Sequence, residues 1–162
     1  MSRWASPAER LEVEVVLNGE PTVLVGTPRT TLADAIRAHG LTGTHLGCEH
    51  GVCGSCTVLF DGRPARSCLV LAGQTHGRRV DTVEALARDG VLNAVQEAFR
   101  AHRAQQCGFC TPGFVVLASW LVDNEPDADE ARVRDVLSAN LCRCTGYAPI
   151  VAATLAAIRD TG

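Results

Sequence analysis

The sequence predicts an α+β protein with a strand-rich first half, residues 1–81, and a helical second half, residues 82–162. Three observations predict it. Period-two alternation of apolar residues marks the first half, helical periodicity marks the second, and the eight cysteines divide four and four between them. A chain of 162 residues suits one ordinary domain or two small ones.

The elements follow in order. "LEVEVVLNGEPTVLVG" alternates at Leu11, Val13 and Val15, turns at Asn18-Gly19 and alternates again at Val23 and Val25, which is a hairpin signal. "TPRTTLADAIRAHG" is a short helix with Thr30 or Thr31 as N-cap, apolar Leu32, Ala35 and Ile36, and Gly40 as its stop. "CTVLFDGRPARSCLVLA" is a second hairpin with Asp61-Gly62 at its turn. "RRVDTVEAL" gives a last short strand, so two hairpins wrap around one helix and the unit ends near residue 81.

The second half has no strand pattern. "DGVLNAVQEAFRAHRA" carries Val91, Leu92, Val95, Ala98 and Phe99 on one face of a helix. "TPGFVVLASWLVD" opens with Thr111 as cap and Pro112 in the first turn. It is apolar nearly all round, which predicts a buried centre. "DADEARVRDVLSAN" is a third helix with acids in its first turn, and "APIVAATLAAIRD" a fourth. Short connections predict a four-helix bundle. Cys110-Thr111-Pro112-Gly113-Phe114 and Cys144-Thr145-Gly146-Tyr147 each lead into an apolar helix, so two helix pairs each present cysteines at a positive helix end.

Apolar residues at 46% and charged residues at 20% argue against disorder. A net charge of −3 argues against nucleic acid, since "GRRVD" offers only two adjacent arginines. The N-terminus has no signal-type apolar run, and no stretch of 18 apolar residues predicts a membrane span. A cytoplasmic location follows, and with it reduced thiols. The eight cysteines therefore point to metal or cluster ligation.

Cys48, Cys53, Cys56 and Cys68 stand as C-x4-C-x2-C with eleven residues to the fourth, the plant-type [2Fe-2S] ferredoxin spacing. Such a cluster with four thiolates is anionic and needs a loop that wraps it and aims N–H groups at sulfur. Gly47, Gly51 and Gly54 can take the positive φ of that wrap. Zinc fits this glycine-rich loop less well. A Rieske centre lacks its partner C-x2-H, which leaves His50 as an exposed loop residue. His39, His45, His76 and His102 show no ligand spacing. Cys107, Cys110, Cys142 and Cys144 stand as C-x2-C, 31 residues, then C-x-C. Spacing alone leaves this set open between zinc and iron–sulfur. The first set tips it toward a second cluster, because one electron carrier gives another a purpose.

"GCEHGVCGSCTV", "DGRPARSCL", "QCGFCTPG" and "NLCRCTGY" together resemble the iron–sulfur subunit of the molybdenum hydroxylases, the xanthine oxidase family, across residues 11 to 158. All eight cysteines fall in the family frame. The departures, at His50, Ser55 and Phe114, involve no ligand. The resemblance implies a β-grasp, plant-ferredoxin-like domain followed by a four-helix bundle, with two [2Fe-2S] clusters. It implies that the cluster of Cys107, Cys110, Cys142 and Cys144 lies beside the molybdenum–pterin cofactor of a large subunit, approached by Gln106 and Cys144. The cluster of Cys48, Cys53, Cys56 and Cys68 would lie toward an FAD subunit, the whole forming a dimer of heterotrimers. The chain itself would relay single electrons, from molybdenum toward FAD or an external acceptor, without touching substrate. "VGTP" and "LTGTHLG" carry neither a P-loop nor a dinucleotide fingerprint. A free ferredoxin-like carrier and a zinc-stapled interaction module are the alternatives.

Overall fold

The computed structural model describes Ser6 and residues 9–161. The first half folds as one five-stranded mixed sheet. β1 (Leu11–Leu17) pairs antiparallel with β2 (Glu20–Gly26). The turn between them sets Asn18 at φ 54° and Gly19 at φ 89°, the paired positive φ values that the twist of a two-residue hairpin requires. β3 (Thr57–Phe60) and β4 (Arg63–Arg66) pair in the same way about Asp61 and Gly62, at φ 48° and 76°. β5 (Arg79–Asp81) runs parallel to β1 and antiparallel to β3, which gives the order β2-β1-β5-β3-β4. Three residues thus join two hairpins that local turns make separately.

The helix predicted within 27–40 is α1 (Leu32–Ala38). Thr31 Oγ1 accepts the Asp34 N–H as N-cap. Gly40, at φ 107°, ends it, with Gly40 N–H donating to Arg37 and Leu41 N–H to Ile36, a Schellman closure. Leu32 and Ile36 from α1 meet Val13, Val15, Leu24, Val58 and Val80 from the sheet in the first core.

Among the described residues, a 3-10 turn (Val83–Ala85) and then four α-helices follow β5: α2 (Ala94–Ala101), α3 (Thr111–Asn124), α4 (Glu130–Leu137) and α5 (Ala148–Thr161). The apolar pattern predicts helix from residue 89, yet the helix begins at Ala94. Asp89 and Gly90 instead turn with positive φ and close a bridge between Arg88 and Val91, leaving Val91 70% exposed. Asn93 caps α2 reciprocally with Gln96. Thr111 does not cap α3: Cys110 holds that position, Thr111 is the first helical residue, and its buried Oγ1 has no hydrogen-bond partner. α3 is the buried centre, with Phe114, Val116, Ala118 and Leu121 at most 1% exposed. It joins Val95 and Phe99 of α2, Val133 and Leu137 of α4 and Ile150, Ala153 and Ala157 of α5 in a second core. No helix among the described residues is long and apolar enough to cross a membrane.

The two halves meet where α3 begins. A Cβ on Gly113 would lie 2.4 Å from the Gly54 carbonyl oxygen, so only glycine lets this turn rest on the first cysteine loop.

Candidate iron–sulfur centres

All eight cysteines are free. The first set lies on a loop between α1 and β3, with its last member in the turn after β4. Gly51 and Gly54 take the positive φ the wrap calls for, at 85° and 74°. Gly47 does not; its role is space, since a Cβ there would lie 3.2 Å from Phe109 and 3.3 Å from Cys53 Sγ. Cys53 N–H donates to Cys48 Sγ at 3.3 Å. Ser67 donates through both N–H and Oγ to the Cys56 carbonyl, at 3.3 and 2.7 Å, which sets Cys68 beside Cys56. His50 is exposed and its Nδ1 turns back to the Cys48 carbonyl.

The second set gathers from the connections α2–α3 and α4–α5. Cys144 Sγ lies 3.6 Å from Cys107 Sγ, and Cys110 meets Cys142. Thr145 donates to Cys142 Sγ through its hydroxyl at 3.0 Å and its N–H at 3.5 Å. Cys142 N–H donates to the Tyr147 hydroxyl at 3.0 Å, and Tyr147 stacks edge-on against buried Phe114.

Among the described residues no three His, Cys, Asp or Glu side chains crowd around one point as the ligands of a single ion would. The thiols approach in pairs instead: Cys48 with Cys53, Cys56 with Cys68, Cys107 with Cys144, Cys110 with Cys142. Two thiolates on each of two irons is the ligation of a [2Fe-2S] cluster, so both donor sets fit that group.

The electrostatics divide along the same lines. The Cys53 N–H, then the His50 N–H, hold the Cys48 thiol down to about 6. Burial, then hydrogen bonding to Cys56, pushes Cys68 up to about 11. Burial, then Cys142, pushes Cys110 up to about 12. Burial alone would raise Cys142, but hydrogen bonds from the Thr145 hydroxyl and N–H, together with those from the Cys144 N–H and Cys110, lower the thiol. Hydrogen bonding to Cys107 raises Cys144.

The two sets share one cavity of ≈ 300 Å³, lined by Cys48 and Cys53 from one loop and by all four cysteines of the other. Leu141 N–H donates to the Cys53 carbonyl at 2.9 Å across it. His45 stacks on Phe109 at 5.0 Å, with Nδ1 2.7 Å from the Phe109 carbonyl.

Residues 15–88 match the family described as 2Fe-2S iron-sulfur cluster binding domain, and residues 82–155 the family described as [2Fe-2S] binding domain. The chain is 52% identical to the nicotine 6-hydroxylase small subunit of Paenarthrobacter nicotinovorans, over 97% of this chain and 95% of that one. It belongs to the iron–sulfur small subunits of the molybdenum hydroxylase family. A second member of this family, the xanthine dehydrogenase iron-sulfur-binding subunit of Escherichia coli O157:H7, is 40% identical over 89% of this chain and 92% of that one. The crystal structure of quinoline 2-oxidoreductase from Pseudomonas putida 86 superposes with a TM-score of 0.90 at 48% identity, covering 95% of this chain and 96% of that one.

As a molybdenum hydroxylase small subunit, the chain carries two [2Fe-2S] clusters and transfers electrons within a multi-subunit oxidoreductase. Gln106 and Cys144 are both exposed, and Phe109 and Leu141, which line the shared cavity with Cys144, are exposed too. Sequence reasoning missed Arg66 and Asn140, which join the two cysteine loops. Neither has a local signal, because each acts on a partner far away in the chain: Arg66 on the Ala139 carbonyl, and Asn140 on Gly54.

Proposed function

We propose that Cys48, Cys53, Cys56 and Cys68 hold one [2Fe-2S] cluster and Cys107, Cys110, Cys142 and Cys144 the other. The shared cavity between the two sets carries this reading, because it puts both on one short route. Each cluster supplies a one-electron reservoir when bound. The chain's own residues shield it, aim N–H and hydroxyl groups at sulfur, and fix the gap between the two.

The direction of flow rests on which surfaces are open. Cys144 and Gln106 are exposed, beside Phe109 at 47% and Leu141 at 49%. This face receives the molybdenum–pterin cofactor of the large subunit. Val52 at 57% and Leu69 at 61% stand out beside the first set, and this face meets an FAD subunit or an external acceptor. A dimer of such heterotrimers, located in the cytoplasm, is the assembly we propose. Eight free thiols accord with a reducing compartment.

The architecture is proposed in the same terms: a β-grasp ferredoxin domain over residues 1–81 and a four-helix bundle over 82–162. The family matches over 15–88 and 82–155 support that division. The substrate class comes from kinship: the nicotine 6-hydroxylase subunit and the quinoline 2-oxidoreductase are named for N-heteroaromatic compounds. We therefore assign the complex to oxidation of an N-heteroaromatic ring.

Purification decides the matter. The chain loaded with iron should be red-brown with about four irons, and inert toward N-heteroaromatics with a dye acceptor unless its large subunit is added. Turnover by the chain alone, or a colourless zinc protein, overturns the proposal.

A further inference from the structure

We propose that Arg66 is a positioning residue for electron transfer between the two cysteine sets, because it clamps the one backbone hydrogen bond among the described residues that joins a loop of each. The inference rests on the relay proposed above.

Arg66 ends β4 and is half-buried. Its guanidinium forks. One nitrogen donates to Thr57 Oγ1 on β3 at 2.5 Å, and the other to the carbonyl of Ala139 at 2.5 Å. Thr57 Oγ1 donates onward to the Gly54 carbonyl at 2.6 Å, in the loop of the first set. Ala139 lies just ahead of the second set. Asn140 follows it, 1% exposed and so close to Gly54 that a Cβ there would lie 2.0 Å from Asn140 Oδ1. Leu141 comes next and donates its N–H to the Cys53 carbonyl at 2.9 Å. Arg66 therefore grips the first loop through Thr57 and the second through Ala139, on either side of this bond.

The bond matters because of what it connects. Cys53 belongs to the first set, and Leu141 is bonded directly to Cys142 of the second. One hydrogen bond and the covalent bonds of three residues thus link a thiol of each set. The His45 contact with Phe109 also crosses between the loops, but it includes no cysteine backbone. The transfer moves one electron and no atom. With clusters bound, each set would hold a one-electron carrier, and the electron leaving the second would reduce the first. Such a step responds to distance and path, which the clamp fixes. Lysine would not replace Arg66, since one ammonium lacks the rigid fork that meets two acceptors at once.

The test uses the full chain loaded with iron and sulfide, as wild type, Arg66→Ala, Arg66→Lys and Arg63→Ala. Arg63 is exposed on the same strand and serves as the control. Iron content and visible spectrum report whether both clusters are present; their absence in the wild type overturns the relay itself, not the role of Arg66. Two readouts then address the clamp: the splitting of the low-temperature electron paramagnetic resonance signals caused by one reduced cluster on the other, and the rate of intramolecular transfer after pulsed reduction. Arg66→Ala should narrow the splitting and slow transfer. Arg66→Lys should not restore either, and Arg63→Ala should match wild type. Should Arg66→Ala load fewer irons, Arg66→Lys carries the decision. A fully loaded Arg66 variant with wild-type splitting and rate overturns the proposal.

Discussion

Gly113, in the first turn of α3, rests against the carbonyl of Gly54, with room for no side chain between them. The helix that carries Cys110 at its cap is thereby seated on the loop that carries Cys53.

Gly113→Ala tests that seating. Alanine favours a helix interior over glycine. Here the added methyl meets backbone at 2.4 Å, and no flexible side chain can yield. Overpacking of this kind costs about 1–3 kcal/mol, so the thermal midpoint should fall despite the better propensity. A raised midpoint with full iron content would mean that α3 shifts freely.

Ligand replacement should separate the two sites. Cys110→Ser should lower iron from about four to about two per chain and leave the first cluster's spectrum in place. Cys68→Ser should do the reverse. Loss of all iron in either variant would argue for clusters that cannot form independently.

Tyr147 supports the second loop from beneath, as the acceptor of the Cys142 N–H. Tyr147→Phe leaves that N–H without its partner, at a cost of about 1–3 kcal/mol. The second cluster should then lose iron to a chelator faster than in wild type, while the first keeps its wild-type rate. Equal rates in variant and wild type would remove the hydroxyl from the account.

Acid should weaken the α3–α4 connection. Arg132 makes a fork to Glu125, at 2.7 and 2.8 Å, and also reaches Asp135. The fork holds the Glu125 carboxyl below its ordinary value. A depressed folded value means that the contribution is full above the ordinary glutamate range, about pH 4.3, and fades as pH falls through the folded value. Wild type should therefore exceed Glu125→Gln in urea midpoint at neutral pH, and the gap should close as pH falls below the ordinary glutamate range and through the folded value. A gap that persists into acid would place the effect elsewhere.

Much of this was legible locally. Asn18-Gly19 and Asp61-Gly62 announce hairpins because two-residue turns need positive φ at both positions. "NAVQ" carries the capping box that sets the start of α2, five residues after the start that the apolar pattern predicts. Val91 and Leu92 match a helical face, but the Asp89-Gly90 turn prevails there because its bridge forms outside the helix.

The sequence by itself determined which segments become strands and helices, though not the start of α2 or the cap of α3, and it determined the hairpin turns, the two cysteine sets and the family that shares them. Each of these depends on neighbours in the chain or on fixed spacing. Only the tertiary structure decided that β5 stands between the hairpins, that the thiols approach in pairs, and that Arg66, Gly113 and Leu141 draw the two sets to one cavity. Those contacts join residues dozens of positions apart, where no periodicity reaches, and they exist only once both cores have closed.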